Sequence, residues 1–471
     1  MHVSAIKHLK GSKILLCCIF AALLPGALGC FRPTPPPDPT ATPTLQPTFT
    51  LQPTILIQKG TPVMVAQPAN PTASPNFEIA NPVQVSELQF FQHGYEVQVL
   101  AKLQNTLHDA LLRDISYQIM LLDSEGNRLA EQNGAVKYLF ARETTGIVSK
   151  IDLMPGMVAA SLQMQITGGK QERGLRYKQP FALQESRAIT MPNGQTATAR
   201  LENADPATYA QVSLNAIAYN QQGEIICGGN KPQEFVPSKS KIGVSVPLIN
   251  CPEIPSIVDF YAFLTPYSSS LPDGNWQKNI KLINWGFIVD EHNRVSGGAE
   301  LQNLTDRTLT HNYFMLTVYN SAGQVCLAEN VSLDALWPHE EAAFSPGILD
   351  LPLNCEAKTV DLKVLPGEFG QNPLAYNPLV VSNVALVKEE TGTVAKLRVV
   401  NNLNADISSA STVVILKNAS GKIVGGGLQM TGNIPANGML ETSIALAYAG
   451  SLDDITLSAS ASIPDGVIIT K

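Results

Sequence analysis

The stretch VLAKLQN at residues 99–105 returns three more times, as ATARLEN at 197–203, GGAELQN at 297–303 and AKLRVVN at 395–401. Each copy ends on an asparagine, and Asn105, Asn203, Asn303 and Asn401 stand 98, 100 and 98 residues apart. Positions two, four and six before the asparagine are apolar or small: Val99, Ala101 and Leu103 in the first copy, Ala395, Leu397 and Val399 in the last. The position three before it is charged: Lys102, Arg200, Glu300 and Arg398. A period of two sends alternate side chains to opposite faces of a strand. The pattern therefore predicts a strand with one face on a core and the charged face in water.

A second apolar strand follows in each copy, carrying Tyr117, Ile119 and Leu121, then Leu214, Ala216 and Ala218, then Phe314, Leu316 and Val318, then Thr412, Val414 and Leu416. It closes on Asp123-Ser-Glu-Gly126, Asn220-Gln-Gln-Gly223, Asn320-Ser-Ala-Gly323 or Asn418-Ala-Ser-Gly421. Asp or Asn accepts a hydrogen bond from the backbone two residues on, and glycine supplies the positive φ of a tight hairpin. Asparagine to turn glycine is 21 residues in the first copy and 20 in the other three. No stretch keeps a helical period over three turns. Short strands punctuated by Gly and Pro, in units of about a hundred residues with some seven strands each, predict an all-β chain of four tandem immunoglobulin-like sandwiches. The expected bounds are 81–170, 171–267, 278–368 and 376–471. Gly168-Gly169-Lys170, Ser268-Ser269-Ser270 and Gly370-Gln371-Asn372-Pro373 read as linkers that separate the units. The repeated asparagine reads as a backbone-capping amide.

A strand ending in Leu-x-Asn, followed by an apolar strand with a Tyr-Asx pair before x-x-Gly, resembles the bacterial FxLYD-type domain. The matching stretches are Leu121-Leu122-Asp123, Ala218-Tyr219-Asn220, Val318-Tyr319-Asn320 and Leu416-Lys417-Asn418; the fourth has Lys in place of Tyr. The resemblance implies an immunoglobulin-like domain of secreted bacterial lipoproteins, and it implies no reaction.

The front of the chain reads as an address. Lys7, Lys10 and Lys13 precede an apolar run, Ile14 to Leu24, that is short for a membrane span. Ala27-Leu28-Gly29-Cys30 then matches the lipoprotein processing pattern, which predicts a signal peptide over 1–29 and a lipid on Cys30; ordinary cleavage after Gly29 is the competing reading. Residues 30–80 are rich in Pro and Thr and read as a disordered stalk, extended at about 3.1 Å per residue. Loss of 1–29 removes three lysines and no acid, taking the net charge from −7 to −10. An acidic exported chain is a poor partner for nucleic acid or anionic lipid. The expected partners are the membrane, through the anchor, and a protein or envelope polymer.

Four of the seven cysteines remain beyond Cys30. Cys227 and Cys251 lie in the second unit, Cys326 and Cys355 in the third, each pair in similar text: Val-Pro-Leu-Ile-Asn-Cys251 and Leu-Pro-Leu-Asn-Cys355. Matched pairs in an exported chain predict disulfides Cys227–Cys251 and Cys326–Cys355.

The search for chemistry finds no catalytic residues, no cofactor motif and no metal-ligand spacing. Asp123-Ser-Glu125-Gly-Asn127 is better read as a turn than as a calcium loop. Ser238 and Lys241 have the spacing of a Ser/Lys hydrolase in a polar stretch with no companion motif. His292, His311 and His339 are scattered. Among the tryptophans, Trp285 alternates with Ile283 and Phe287 and reads as core, whereas Trp276 and Trp337 are the candidates for a binding patch. The leading expectation is a non-catalytic, membrane-anchored surface lipoprotein whose sandwiches act as spacer and binding surface. A subunit of an envelope assembly and an exported enzyme or enzyme accessory with an interdomain site are the alternatives.

Overall fold

The computed structural model describes residues 58–59, 61–62, 82–173, 178–271, 276–370, 376–464 and 469–470. They belong to one compact unit, Ile55–Lys471. The regular structure is almost entirely antiparallel strand; one 3-10 turn, Trp276–Lys278, is the helical element among the described residues.

Six strands recur in each repeat. The anchor strand that ends on the asparagine is Glu96–Asn105, Gly194–Asn203, Arg294–Asn303 and Gly392–Asn401. It lies between the first strand (Val83–His93, Phe181–Met191, Ile280–Val289, Leu379–Glu389) and the fifth (Thr144–Asp152, Ser240–Leu248, Glu341–Phe344, Met439–Ala445). The second sheet centres on Ala110–Leu122, Thr208–Tyr219, Asn312–Asn320 and Ala410–Lys417. It is flanked by a return strand (Arg128–Leu139, Ile225–Val236, Val325–Leu333, Ile423–Thr431) and a sixth (Ser161–Arg173, Ile257–Leu271, Ala357–Val364, Thr456–Ser462). Each pair of sheets encloses its own core: Phe90, Leu103 and Ile119 in the first repeat, Leu201, Leu214 and Val244 in the second, Leu301, Phe314 and Phe344 in the third, Leu397, Val414 and Ile444 in the fourth. The chain is thus an all-β series of sandwiches.

The anchor asparagines are fully buried, and each carboxamide ties three segments. Asn105 Nδ2 donates to the carbonyls of Ala110, Leu139 and Phe140 at 2.9–3.0 Å, and Oδ1 accepts from Leu107 N at 3.0 Å. Asn203, Asn303 and Asn401 repeat the set, on Ala207, Val236 and Pro237, on Arg307, Leu336 and Trp337, and on Ala405, Ile434 and Pro435. One amide holds the crossover between the two sheets, where a buried carbonyl would otherwise lack a donor. The hairpin turns close as their sequence implies: Asp123, Asn220, Asn320 and Asn418 each accept two backbone N–H bonds through Oδ1. Their glycines sit at φ of 77–84°, in the left-handed region.

The disulfides Cys227–Cys251 and Cys326–Cys355 have Cα separations of 5.1 and 5.9 Å. They close loops of 24 and 29 residues, which in the chain-entropy view stabilise each sandwich by about 3–4 kcal/mol.

Three expectations need correction. Gly168-Gly169-Lys170 and Ser268-Ser269-Ser270 are strand, inside Ser161–Arg173 and Ile257–Leu271, so they are not linkers. Two dipeptides of the Pro/Thr-rich segment are also strand: Gln58–Lys59 pairs with Phe91 and Gln92, and Thr61–Pro62 runs parallel to Ser161 and Leu162. Finally, the charged face of the anchor strand is not in water in the first three repeats, because the next sandwich lies on it.

Candidate binding sites at the joints between sandwiches

At every joint, the anchor-strand sheet of one sandwich packs on the outer face of the central-strand sheet of the next. The central strands of the second to fourth repeats are therefore buried on both faces. Asn215, Ile217 and Tyr219 point away from their own core and are 2, 0 and 7% exposed; Met315 and Thr317, then Val413 and Ile415, do the same in the later repeats. Small residues make room for them. Gly146 and Gly243 occupy matching places on the fifth strand, and a Cβ would lie 2.4 Å from the Tyr261 ring at the first and 2.3 Å from Thr317 at the second. Backbone and side chain then interlock. Gln98 exchanges both its amide bonds with Gly228, Thr198 and Ser245 donate to the carbonyls of Val325 and Ala328, and Ser296 donates to that of Gly426.

In the first three repeats the charge three before the anchor asparagine meets one position of the next repeat, the residue just before its turn asparagine. Lys102 Nζ lies 5.2 Å above the Tyr219 ring, and the Arg200 guanidinium 5.9 Å above the Tyr319 ring. At the third joint, Glu300 pairs with Lys417 at 2.6 Å. The lysine that departs from the expected Tyr-Asx text is thus the partner of an anchor residue that has itself changed sign.

The first joint carries the densest polar network. A bulge in the first strand, with Glu87 at φ 51°, brings that carboxylate beside Lys102. Lys102 donates to Glu87 and Asp259 at 2.9–3.0 Å, Tyr219 OH donates to Glu87 at 2.8 Å, and Tyr261 OH to Asp259 at 3.3 Å. Burial lowers the Lys102 ammonium, but the two carboxylates outweigh it and the net shift is upward. Burial, reinforced by the neighbouring carboxylates, pushes both tyrosines well above the ordinary phenol range. These shifts hold the ammonium charged and both phenols neutral at neutral pH, so the lysine and the tyrosines act as a clasp.

Two half-buried glutamates act as a second clasp. Glu143 Oε2 accepts from Phe140 N at 2.6 Å, and Glu340 Oε2 from Trp337 N at 2.8 Å. Gln179 and Asn377, which lead into the next sandwich, donate to the same carboxylates. The second and fourth repeats have Pro237 and Pro435 where these have Phe140 and Trp337. Proline has no N–H, and no glutamate is there: the positions hold Ser240 and Gly438. Burial raises Glu143 to about 7 against its hydrogen bonds, and raises Glu340 as well.

Three clefts open at the joints. A charged one of about 260 Å³, between the first and second sandwiches, has Arg113, Lys137, Lys178, Asp205 and Tyr209 on its walls. A larger one of about 500 Å³ at the same joint is walled by Asn133, Ser213, Asn215, Asn230 and Tyr267. Its counterpart between the third and fourth sandwiches, about 390 Å³, has Asn330, Ser411, Val413, Leu428 and Met430. At the middle joint the counterpart of Ser213 is Tyr313, whose ring packs 5.6 Å from Phe235, while Gln233 donates to Asn330 Oδ1 at 3.0 Å.

Cys30 lies outside the described residues. The two candidate tryptophans do not form a patch. Trp337 is 1% exposed and packs in the core of the fourth repeat with Leu379 and Ala395, because its segment crosses the third joint. Trp276 packs on the third core and stacks edge-on against Phe369 at 5.1 Å. Trp285, expected in the core, is 43% exposed and Ile283 42%: Ile283 is the extra residue of the bulge between Leu282 and Asn284, and Trp285 lies on a strand bordered by a single neighbour, while Phe287 of the same alternation packs on the third core. The histidines stand apart, with His339 against Asp306 at 2.8 Å and His292 against Asp290 at 3.8 Å. Ser240, within the Ser238–Lys241 stretch, donates to Pro237 O, and Lys241 pairs with Glu202 at 2.9 Å, so this stretch is structural. Sequence reasoning missed Glu143, Glu340, Asn215 and Tyr267. A signal for the last existed: Pro266 inside a strand marks a bulge.

No family model matches this chain, and no curated protein matches it. Among solved structures it is similar to the native conformation of Escherichia coli alpha-2-macroglobulin, at 9% identity and a TM-score of 0.13 over 81% of this chain and 28% of that one. The C-terminal globular domain of oligosaccharyltransferase from Pyrococcus abyssi shares 7% identity at a TM-score of 0.12, over 63% of this chain and 80% of that one. Dimeric latent PorU from Porphyromonas gingivalis shares 12% at 0.11, over 83% and 34%. The chain spans about a third or less of the first and third of these. At such scores the likenesses carry no argument about function. What the fold itself defines is a disulfide-bonded tandem β-sandwich protein, of the kind found in oxidising compartments outside the cytosol.

Proposed function

We propose that the chain is a non-catalytic, membrane-anchored surface lipoprotein of the FxLYD-type class, whose joined sandwiches present a binding surface to an envelope polymer or protein partner beyond a Pro/Thr-rich stalk. One observation carries this reading: Glu143, the carboxyl raised furthest, and the Lys102, Tyr219 and Tyr261 network are engaged in holding one sandwich to the next, while Tyr117 and Tyr209, the raised phenols that line the joint clefts, are pushed toward their neutral form. A catalytic centre would need such a group turned toward a ligand. The anchor is read from Ala27-Leu28-Gly29-Cys30, with the lipid on Cys30. Fractionation of cells expressing Cys30→Ala tests it. The variant should leave the membrane fraction or accumulate unprocessed; a variant that fractionates and matures like wild type would defeat the assignment.

A further inference from the structure

The sixth strand of the second sandwich does something that no other repeat does. Ala210 pairs with Ser269 and Val212 with Leu264, so the single residue Gln211 faces the four residues Thr265–Ser268. The extra chain is thrown outward as a wide bulge, with Gln211 at φ 55°. It is built, not frayed: Ser268 Oγ donates to Gln211 O at 2.5 Å, Thr265 N donates to Ser268 Oγ at 2.9 Å, and Lys137 from the first sandwich donates to Ser268 O at 3.1 Å. The effect is to hold Tyr267 at 88% exposure on the rim of the 500 Å³ cleft. Bulges that re-aim one side chain are characteristic of functional edges.

The walls of that cleft have a consistent chemistry. The described residues lining it include no Asp, Glu, Lys or Arg; amides and hydroxyls share the wall with the rings of Tyr117, Phe263 and Tyr267 and with Val148 and Pro266. Asn215 is 2% exposed and lines the cleft. Its Nδ2 donates to Gly146 O at 2.7 Å, but its Oδ1 accepts nothing. Gln132 Oε1, also on the wall, lacks a donor. A buried acceptor left without a donor is costly, which sets this wall apart from an ordinary core. The equivalent cleft at the third joint has Val413 and Leu428 in place of Asn215 and Asn230, and lacks this character.

Uncharged hydrogen-bonding walls, orphaned acceptors and one rigid aromatic face at the rim suit a ligand that is rich in hydroxyls, uncharged, and apolar on one face. We propose that this cleft binds a neutral saccharide, with Tyr267 stacking on a sugar ring and Asn133, Ser213 and Asn230 taking its hydroxyls. The inference rests on the binding-surface reading above and names its ligand class. The volume is within the roughly 300–1,000 Å³ of small-molecule sites.

The test is calorimetric titration of the full-length exported protein, in sugar-free buffer, with chitotriose, cellotriose, maltotriose and mannotriose, and with trigalacturonate as the charged counterpart. At least one neutral trisaccharide should bind. Tyr267→Ala and Asn230→Ala, both at exposed positions, should each weaken it about tenfold while leaving the melting transition unmoved. Three results would overturn the proposal: no heat from any neutral trisaccharide at concentrations on the order of 10 mM, affinity unchanged in Tyr267→Ala, or preference for trigalacturonate. Chromatography of the sugars afterwards separates the two readings. Intact sugars with no binding defeat the saccharide site alone, whereas shortened sugars would support the site and defeat the non-catalytic function.

Discussion

The outer face of the central strand has two fates in this molecule. In the second, third and fourth repeats it lies under the preceding sandwich, and its residues are Asn215, Ile217 and Tyr219, Met315, Thr317 and Tyr319, and Val413, Ile415 and Lys417. In the first repeat no further sheet covers it among the described residues. The residues there are Gln118, Met120 and Leu122, partly exposed, and Gln118 donates across the surface to Glu131 at 2.8 Å. The anchor-strand sheet shows the reverse. Leu100, Thr198 and Gly298 are buried in joints, but the matching residue of the fourth repeat is Lys396, exposed and paired with Glu389 at 2.9 Å. Where the fifth strand has Gly146, Gly243 or Ala343 under a neighbour, the fourth repeat has Glu441, bonded to Arg398 at 2.7 Å. One strand pattern thus makes either a joint or a solvated end, and the choice is written in three or four outward side chains.

The largest effect that would break this comparison comes from placing a charge at equivalent points of a joint and an end. Ile217→Lys buries an unpaired ammonium where the side chain is 0% exposed, and should cost the first joint about 3 kcal/mol or more. Met120→Lys, at the matching point of the uncovered face, should change stability by about 0.5 kcal/mol or less. Chemical unfolding of both variants measures the difference. Equal losses would mean that the first repeat's face is covered after all.

A smaller effect separates the joints by pH. Glu143 is raised to about 7, so between its unfolded value near 4.5 and 7 the folded chain binds a proton that the unfolded chain has lost. Stability should therefore be greatest at the acid end of that window and fall as pH rises through it, by on the order of 2 kcal/mol. Glu143→Gln keeps an acceptor for Phe140 N and cannot titrate; its stability should fall less than that of wild type from pH 5 to 8 and exceed wild type at pH 8. A wild-type stability that rises across the window would reverse the sign of the shift and remove the glutamate's role as a neutral clasp.

These details explain what the sequence could and could not disclose. The anchor asparagines, the turn glycines and the cysteine pairs were legible because each meets its partner within its own repeat, so local spacing carries the information. The joints were not. Period-two alternation tells one face from the other but cannot distinguish water from a neighbouring sheet, and Lys102, Arg200 and Glu300 read as solvated for that reason. The contrast between Gln118 and Met120 in the first repeat and Ile217, Met315 and Ile415 in the others was the available signal. Trp337 misled because a residue numbered in the third repeat completes the core of the fourth, and Trp285 because alternation cannot show that its strand borders the sheet, where a core-side ring stays 43% exposed. The saccharide cleft was hidden more deeply, since its walls come from strands more than a hundred residues apart.

The sharpest use of the comparison is to convert one joint into another. Lys102 with Tyr219 and Arg200 with Tyr319 set a cation over a ring, whereas Glu300 with Lys417 is an ion pair at 2.6 Å whose side chains are 20 and 22% exposed. If the two arrangements are alternative solutions to one contact, Glu300→Arg alone should place two cations together and cost about 1 kcal/mol, and Lys417→Tyr alone should leave Glu300 against a ring and cost about as much. The double variant Glu300→Arg/Lys417→Tyr rebuilds the second joint's pair at the third and should recover most of both losses, a coupling of about 0.5–1 kcal/mol. A double-mutant cycle on the unfolding of the full chain measures it. Additive losses would show that the pairs are independent surface contacts, and that the lysine replacing tyrosine in the fourth repeat owes nothing to the glutamate facing it.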